Sequence, residues 1–100
     1  MVRYLVLVDF TDKGVTHVTD SIDRAKAFAT AAEQAGAKVE TQYWTVGAHD
    51  GAFVLSAPDD LTASSLVLAL GRSDNIRTTM LRAYDAGEFA KVVGGIPNLG

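Results

Sequence analysis

The residues of this chain best suited to chemistry are His49 and the adjacent Asp50. An imidazole beside a carboxylate can act as a general base or bind a metal ion. Neighbouring residues on a strand point to opposite faces of the sheet, so these two side chains share a pocket only if a turn bends them together. We predict that Asp50 serves the turn or a nearby backbone N–H. For His49, a place at the rim or interface and a direct functional role both stay open.

Arg82 is the second candidate. It shares strand parity with Ile76, Thr78 and Met80, which indicates that its side chain points inward. A buried guanidinium needs an ion-pair partner, such as Glu40, or an anionic ligand, such as a small carboxylate. The aromatic side chains of the predicted strands either line a pocket or form core and dimer contacts: Phe10, Tyr43, Trp44 and Tyr84. The candidate ligand-binding set is therefore His49, Arg82, Trp44 and Tyr84.

No metal or other cofactor is predicted. The two histidines, His17 and His49, have no characteristic spacing, and a metal site would need both to converge with a carboxylate such as Asp9 or Asp50. The chain has no cysteine, which excludes disulfides, thiolate metal sites and cysteine nucleophiles.

Composition describes a single globular domain. The chain has 100 residues, of which 48% are hydrophobic, and a net charge of −3. Its nine Lys and Arg residues are scattered, so no basic face for nucleic acid is expected. The apolar start is broken at Asp9, too soon for a signal peptide or a membrane span. We therefore expect a cytoplasmic protein with one domain over residues 1–93, a flexible tail over residues 94–100, and no nucleic-acid or membrane partner.

Periodicity and turn residues predict the elements that position these side chains. Strands are expected at residues 3–10, 38–46, 50–57 and 75–84, with a turn at residues 11–14 and a tight hairpin turn at Gly47. Helices are expected at residues 21–35, with Gly36 as a left-handed C-terminal cap, from Asp59 or Asp60 to Gly71, and at residues 86–93. The order is βαββαβ with a short C-terminal helix, the ferredoxin-like α+β sandwich.

Both faces of the predicted sheet are apolar. In the first strand, for example, Val6 and Val8 share one face, and Leu5 and Leu7 share the other. Right-handed crossovers place both helices on one face and leave the other bare. An apolar face of that size is unusual on a monomer. We therefore expect a second copy to cover it, which gives a homodimeric α/β barrel.

The chain also resembles the GYD-domain family of small bacterial and archaeal proteins. The resemblance lies in the order and spacing of short segments: Tyr4–Val8, Phe10–Asp12 with Gly14, Asp23–Ala25 with Phe28, Tyr43–Thr45 with Gly47 and Asp50, Ala57–Asp60, Asn75–Thr78, and Arg82–Ala83. His49 stands where the family's name motif has a tyrosine. The resemblance implies a ferredoxin-like fold and dimeric barrel packing, but no reaction. Fold relatives of dimeric barrels include cofactor-free oxygenases, haem-handling enzymes, isomerases and ligand sensors.

Two hypotheses of function follow, and the residues do not decide whether the protein is an enzyme. In the first, the protein is a non-catalytic homodimer that binds a small molecule or acts as a regulatory module. In the second, it is a cofactor-independent enzyme, similar to a monooxygenase or an isomerase, that uses His49, Tyr84 and Arg82 in a cavity between the sheets.

Overall fold

The computed structural model describes residues 1–100 and confirms the ferredoxin-like α+β fold. The strands are β1 (Val2–Phe10), β2 (Lys38–Trp44), β3 (Gly51–Ala57) and β4 (Ile76–Ala83). The helices are α1 (Asp12–Thr16), α2 (Ser21–Gln34), α3 (Asp60–Arg72) and α4 (Ala86–Gly94), with one 3-10 turn at Val18–Asp20. None of the helices is long and apolar enough to cross a membrane.

The four strands form one antiparallel sheet in the order β2-β3-β1-β4. Helices α2 and α3 pack on one face of it. The core between these layers combines alternate residues of β1 and β3 with small and aromatic helix residues: Tyr4, Val6, Val8, Phe53, Leu55, Ala57, Phe28, Ala32, Ala63 and Val67. Alternation along the strands directs the intervening residues to the opposite face. One side of the sheet therefore contacts the helices, and the other side carries the intervening residues.

Helix ends follow the local rules that the sequence predicted. Gly36 ends α2 with a φ of 80°, and the next N–H, of Ala37, donates to the carbonyl of Ala32 at 2.8 Å. Asp59 caps α3, since its carboxylate accepts from the Thr62 N–H at 2.8 Å. That backbone hydrogen bond lowers the pKa of the Asp59 carboxyl below its usual value. These caps fix where each helix meets the sheet.

The segment after β1 is a short helix rather than the simple turn that the sequence suggested. Thr11 caps α1 by accepting from the Gly14 N–H at 3.1 Å, and its own N–H and hydroxyl bind the backbone carbonyls of Asn75 and Asp74 at 3.0 and 2.6 Å. A Cβ on Gly14 would lie 1.9 Å from the Asn75 carbonyl oxygen. The close approach of two backbones therefore requires a glycine here, and it attaches α1 to the start of β4.

Strand β2 departs from the simple alternation expected for it. Val39 pairs with Leu55, but Thr41 pairs with Val54, so Glu40 is an extra residue in a β-bulge. The bulge reverses the parity of the second half of the strand. Trp44, which pairs with Gly51, consequently lies on the helix-covered side with Val39, whereas strict alternation put these two residues on opposite faces.

The face of the sheet opposite the helices carries no covering element. Val54, Leu5 and Leu81 form a row across β3, β1 and β4, and Leu5 and Leu81 are 36% and 44% exposed. We call this surface the open face. At one end of it, Arg3 donates to Glu88 at 3.1 Å and so holds the first turn of α4. The apolar side of α4 is also uncovered: Phe89, Val92 and Val93.

Candidate functional site

The chain contains a cleft of about 70 Å³ between the sheet and the N-terminal half of α2. Its walls are mainly apolar and include Val8 and Phe53 from the sheet, Phe28 from α2 and Trp44 at the end of β2. Phe28 and Phe53 meet at 5.4 Å between ring centroids. Concave, mostly apolar sites with a few polar groups are the usual form of small-molecule sites.

Trp44 reaches this cleft because of two features of the sheet. The bulge at Glu40 turns it to the helix side, and its pairing partner Gly51, which pairs in turn with Val8, has no side chain to block the approach. Trp44 is 46% exposed, so part of its indole faces solvent at the edge of the cleft. Trp44 therefore belongs to a site within one chain, and not to the open face where a second copy was expected.

Arg24 is a residue of the cleft that the sequence analysis missed. No role was predicted for Arg24, because a charged residue of an amphipathic helix usually faces solvent. Yet Arg24 precedes Phe28 by four residues, a spacing that places both on one face of a helix. Its Nη1 donates to the carbonyl of His17 at 3.0 Å, whereas its Nη2 is buried with no hydrogen-bond partner. The cleft thus holds a cation with an unused donor.

His49 lies on the other side of the sheet, with Asp9 and not with Asp50. Its Nδ1 is 3.1 and 3.3 Å from the two Asp9 carboxylate oxygens, and both side chains are about two-fifths exposed. Asp50 has the structural role predicted for it, because its carboxylate accepts from the Phe10 N–H at 2.8 Å. An imidazole whose Nδ1 is held by a carboxylate keeps Nε2 free for a ligand or a proton.

Arg82 and Tyr84 lie at the opposite end of the sheet. The Arg82 guanidinium donates to the carbonyl oxygen of Arg3 at 3.1 Å and stacks 4.4 Å from the centroid of the Tyr84 ring. The ion pair with Glu40 that the sequence suggested is not formed. Glu40 lies on the far edge strand, where it pairs with Lys38 at 3.8 Å. Backbone acceptors and an aromatic face therefore occupy this arginine.

Tyr4 adds a buried polar contact beside Arg82. Its hydroxyl donates to the carboxylate of Asp60, in the first turn of α3. This hydrogen bond, together with burial, raises the pKa of the Tyr4 phenol above its usual value. The contact joins the start of β1 to α3, and it supplies no open space for a ligand.

The structure divides the predicted set of four residues into separate regions. Trp44 and His49 are near the Val8 and Asp9 end of β1, on opposite sides of the sheet, whereas Arg82 and Tyr84 are near Tyr4. Asp9 follows Tyr4 by five positions, which corresponds to roughly 17 Å of strand. Within one chain, no pocket combines His49 with Arg82 and Tyr84. His17 binds the Lys13 carbonyl through Nδ1 at 2.9 Å, and no cluster of three or more potential metal ligands forms.

A family comparison agrees with this geometry. The sequence matches the GYD domain over residues 4–93, which spans all four strands, the cleft and the His49–Asp9 pair. The chain belongs to the GYD-domain family. No curated protein and no solved structure matches it. Membership in the GYD-domain family assigns neither a ligand nor a reaction.

Proposed function

We propose that this GYD-domain protein is a homodimer that binds a small molecule and does not transform it. The observation that supports ligand binding is the cleft between the sheet and α2. It has aromatic walls, an opening at Trp44 and few polar groups, and no nucleophile with an adjacent base lies in its lining. An apolar concavity of this kind stabilises a bound molecule mainly through buried surface.

The observation that supports dimerisation is the open face. Four strands with at least seven residues each give a face of roughly 19 by 23 Å, with apolar residues across its centre. The sheet alone gives about 440 Å², just over half of the roughly 800 Å² per partner of a standard interface, and the uncovered side of α4 adds to it. A second copy supplies a matching surface, since a two-fold axis pairs one patch with itself.

We expect the fluorescence of Trp44, the only tryptophan of the chain, to report ligand binding in the cleft. Screening compact metabolites by thermal shift should raise Tm for at least one chemical class, because a ligand that binds only the folded state stabilises it. The same ligand should change the fluorescence of Trp44. A ligand that raises Tm without changing this fluorescence binds elsewhere, and a screen in which no compound raises Tm contradicts the proposal.

The His49–Asp9 pair favours a second candidate function, catalysis by a cofactor-independent enzyme. A carboxylate that orients an imidazole is a common general-base arrangement. The pair lies on the open-face side of the sheet, so a second copy would be needed to exclude water from it. In this case, incubation with a bound ligand should yield a product by NMR, and His49→Ala should abolish the conversion.

His17→Ala is the matched control for this test, because His17 is exposed and makes its side-chain contact only within its own helical turn. Conversion that is lost in the His49 variant and retained in the His17 variant would establish catalysis. A ligand that remains unchanged after prolonged incubation would support binding without turnover.

A further inference from the structure

We propose that the cleft takes a small organic anion, a carboxylate with a compact apolar body, and that Arg24 binds the carboxylate group. This inference rests on the proposed ligand-binding function and names the chemical class of the ligand. The observation that carries it is Arg24, a residue of the cleft wall whose guanidinium has one nitrogen buried and unpartnered.

The hydrogen bonding that the protein gives Arg24 is incomplete. A guanidinium has five N–H donors, and the structure gives Arg24 one acceptor, the His17 carbonyl at 3.0 Å. A buried donor without an acceptor destabilises the fold, and does so more strongly when it is charged. A carboxylate oxygen is the acceptor that best offsets this cost, because it supplies charge as well as a lone pair.

The charge of Arg24 is also uncompensated. None of the ion pairs in the chain includes Arg24, and the other polar residues of the cleft are neutral: Ser21, Gln42, Ser73 and Asn75. Arg82, by contrast, has backbone acceptors and two aromatic rings. A cation without a charged partner in a mainly apolar cleft favours an anion over a neutral ligand.

The size and lining of the cleft restrict the rest of the ligand. A volume of about 70 Å³ is small, so the enclosed part of the ligand is compact. Phe28, Phe53 and Trp44 provide an apolar wall for a short aliphatic or aromatic body. A phosphate, with more charge and more acceptors, would need further cationic or backbone donors. A monocarboxylate fits one guanidinium beside apolar walls.

The test compares carboxylates with their uncharged amides, which have nearly the same shape. Titrations of the full chain with 3-methylbutanoate and 3-methylbutanamide, and with benzoate and benzamide, are followed by calorimetry. At least one carboxylate should bind about tenfold more tightly than its amide. In Arg24→Met this preference should fall to about one, and Arg24→Lys should restore part of it because the charge returns.

Lys26→Met is the matched control, because it removes a cation from the same helix at an exposed position outside the cleft. It should keep the full preference for the carboxylate. The wild-type ratio by itself tests the inference if the Arg24 variants do not fold.

Amides that bind as tightly as carboxylates would overturn the anion inference and leave the proposed ligand-binding function in place. Tight binding of a carboxylate that Arg24→Met retains would overturn the role of Arg24. Inorganic phosphate binding more tightly than every carboxylate would overturn the ligand class. If no member of the panel binds at millimolar concentration, the inference fails, and the broader thermal-shift screen then decides whether the proposed function fails with it.

Discussion

Replacing Gly14 with alanine should lower Tm by about 15 °C, which corresponds to roughly 3 kcal/mol of unfolding free energy for a domain of this size. The added Cβ would lie 1.9 Å from the Asn75 carbonyl oxygen. No side-chain rotation relieves that contact, because the clashing atom belongs to the backbone at the start of β4. Either α1 or the α3–β4 connection must move, and the hydrogen bonds of Thr11 to Asn75 and Asp74 are then lost. Thermal unfolding followed by circular dichroism measures the effect.

Gly71→Ala is the control for this substitution. Gly71 lies inside α3, and a Cβ there would meet no atom within 4 Å. Alanine is the better helix former, so this variant should unfold at the same temperature as the wild type or a few degrees higher. Equal Tm values for Gly14→Ala and the wild type would mean that α1 does not pack against Asn75 as described.

Replacing Leu5 with glutamate should convert the proposed dimer into a monomer. Leu5 lies at the centre of the open face, between Val54 of β3 and Leu81 of β4. Two symmetry-related carboxylates would have to enter an apolar interface without partners. We expect dimerisation to weaken on the order of 100-fold or more, which is about 2.7 kcal/mol. Sedimentation velocity over a concentration series measures the change.

Leu68→Glu provides the matched control on the outer surface of α3. Leu68 is 71% exposed, and α3 packs on the side of the sheet opposite the open face. The same change of chemistry at this position should leave the mass and the fold unaltered. If both variants remain dimeric, the second copy binds a surface other than the open face.

Much of the fold could be predicted from the sequence because local signals agreed with one another. Gly36 marked the left-handed end of α2, and the carboxylate of Asp59 marked the start of α3. The apolar runs of β1 and β3 indicated buried strands. The order of these elements left the ferredoxin-like arrangement as the natural topology. The family resemblance pointed to the same fold.

The candidate site could not be predicted as well, for reasons that lie in long-range geometry. The bulge at Glu40 changes the side on which Trp44 lies, and nothing in a simple alternation of residues indicates an extra one. Asp50 accepts from the Phe10 N–H, as expected, but Asp9 was considered beside His49 only as part of a metal site, and it contacts the imidazole directly. Strand pairing decides such contacts between residues forty positions apart.

The position of Arg24 in the sequence indicated its place in the cleft, but its charge argued against burial. Its spacing from Phe28 placed it on the buried face of α2. A charged residue on an apolar stripe is usually assigned to solvent, because burying an unpaired charge is costly. At a ligand site, a bound anion can offset that cost by pairing with the charge. The exception to the pattern therefore marked the position of the proposed anion-binding group.

The mass of the wild-type chain in solution tests the central claim, that a second copy completes this fold over the open face. One chain has a mass of 10.6 kDa, so sedimentation equilibrium at micromolar concentration should give twice that value. A single species of 10.6 kDa that keeps its fold would contradict the claim, since Leu5, Val54 and Leu81 would then face water in the working protein.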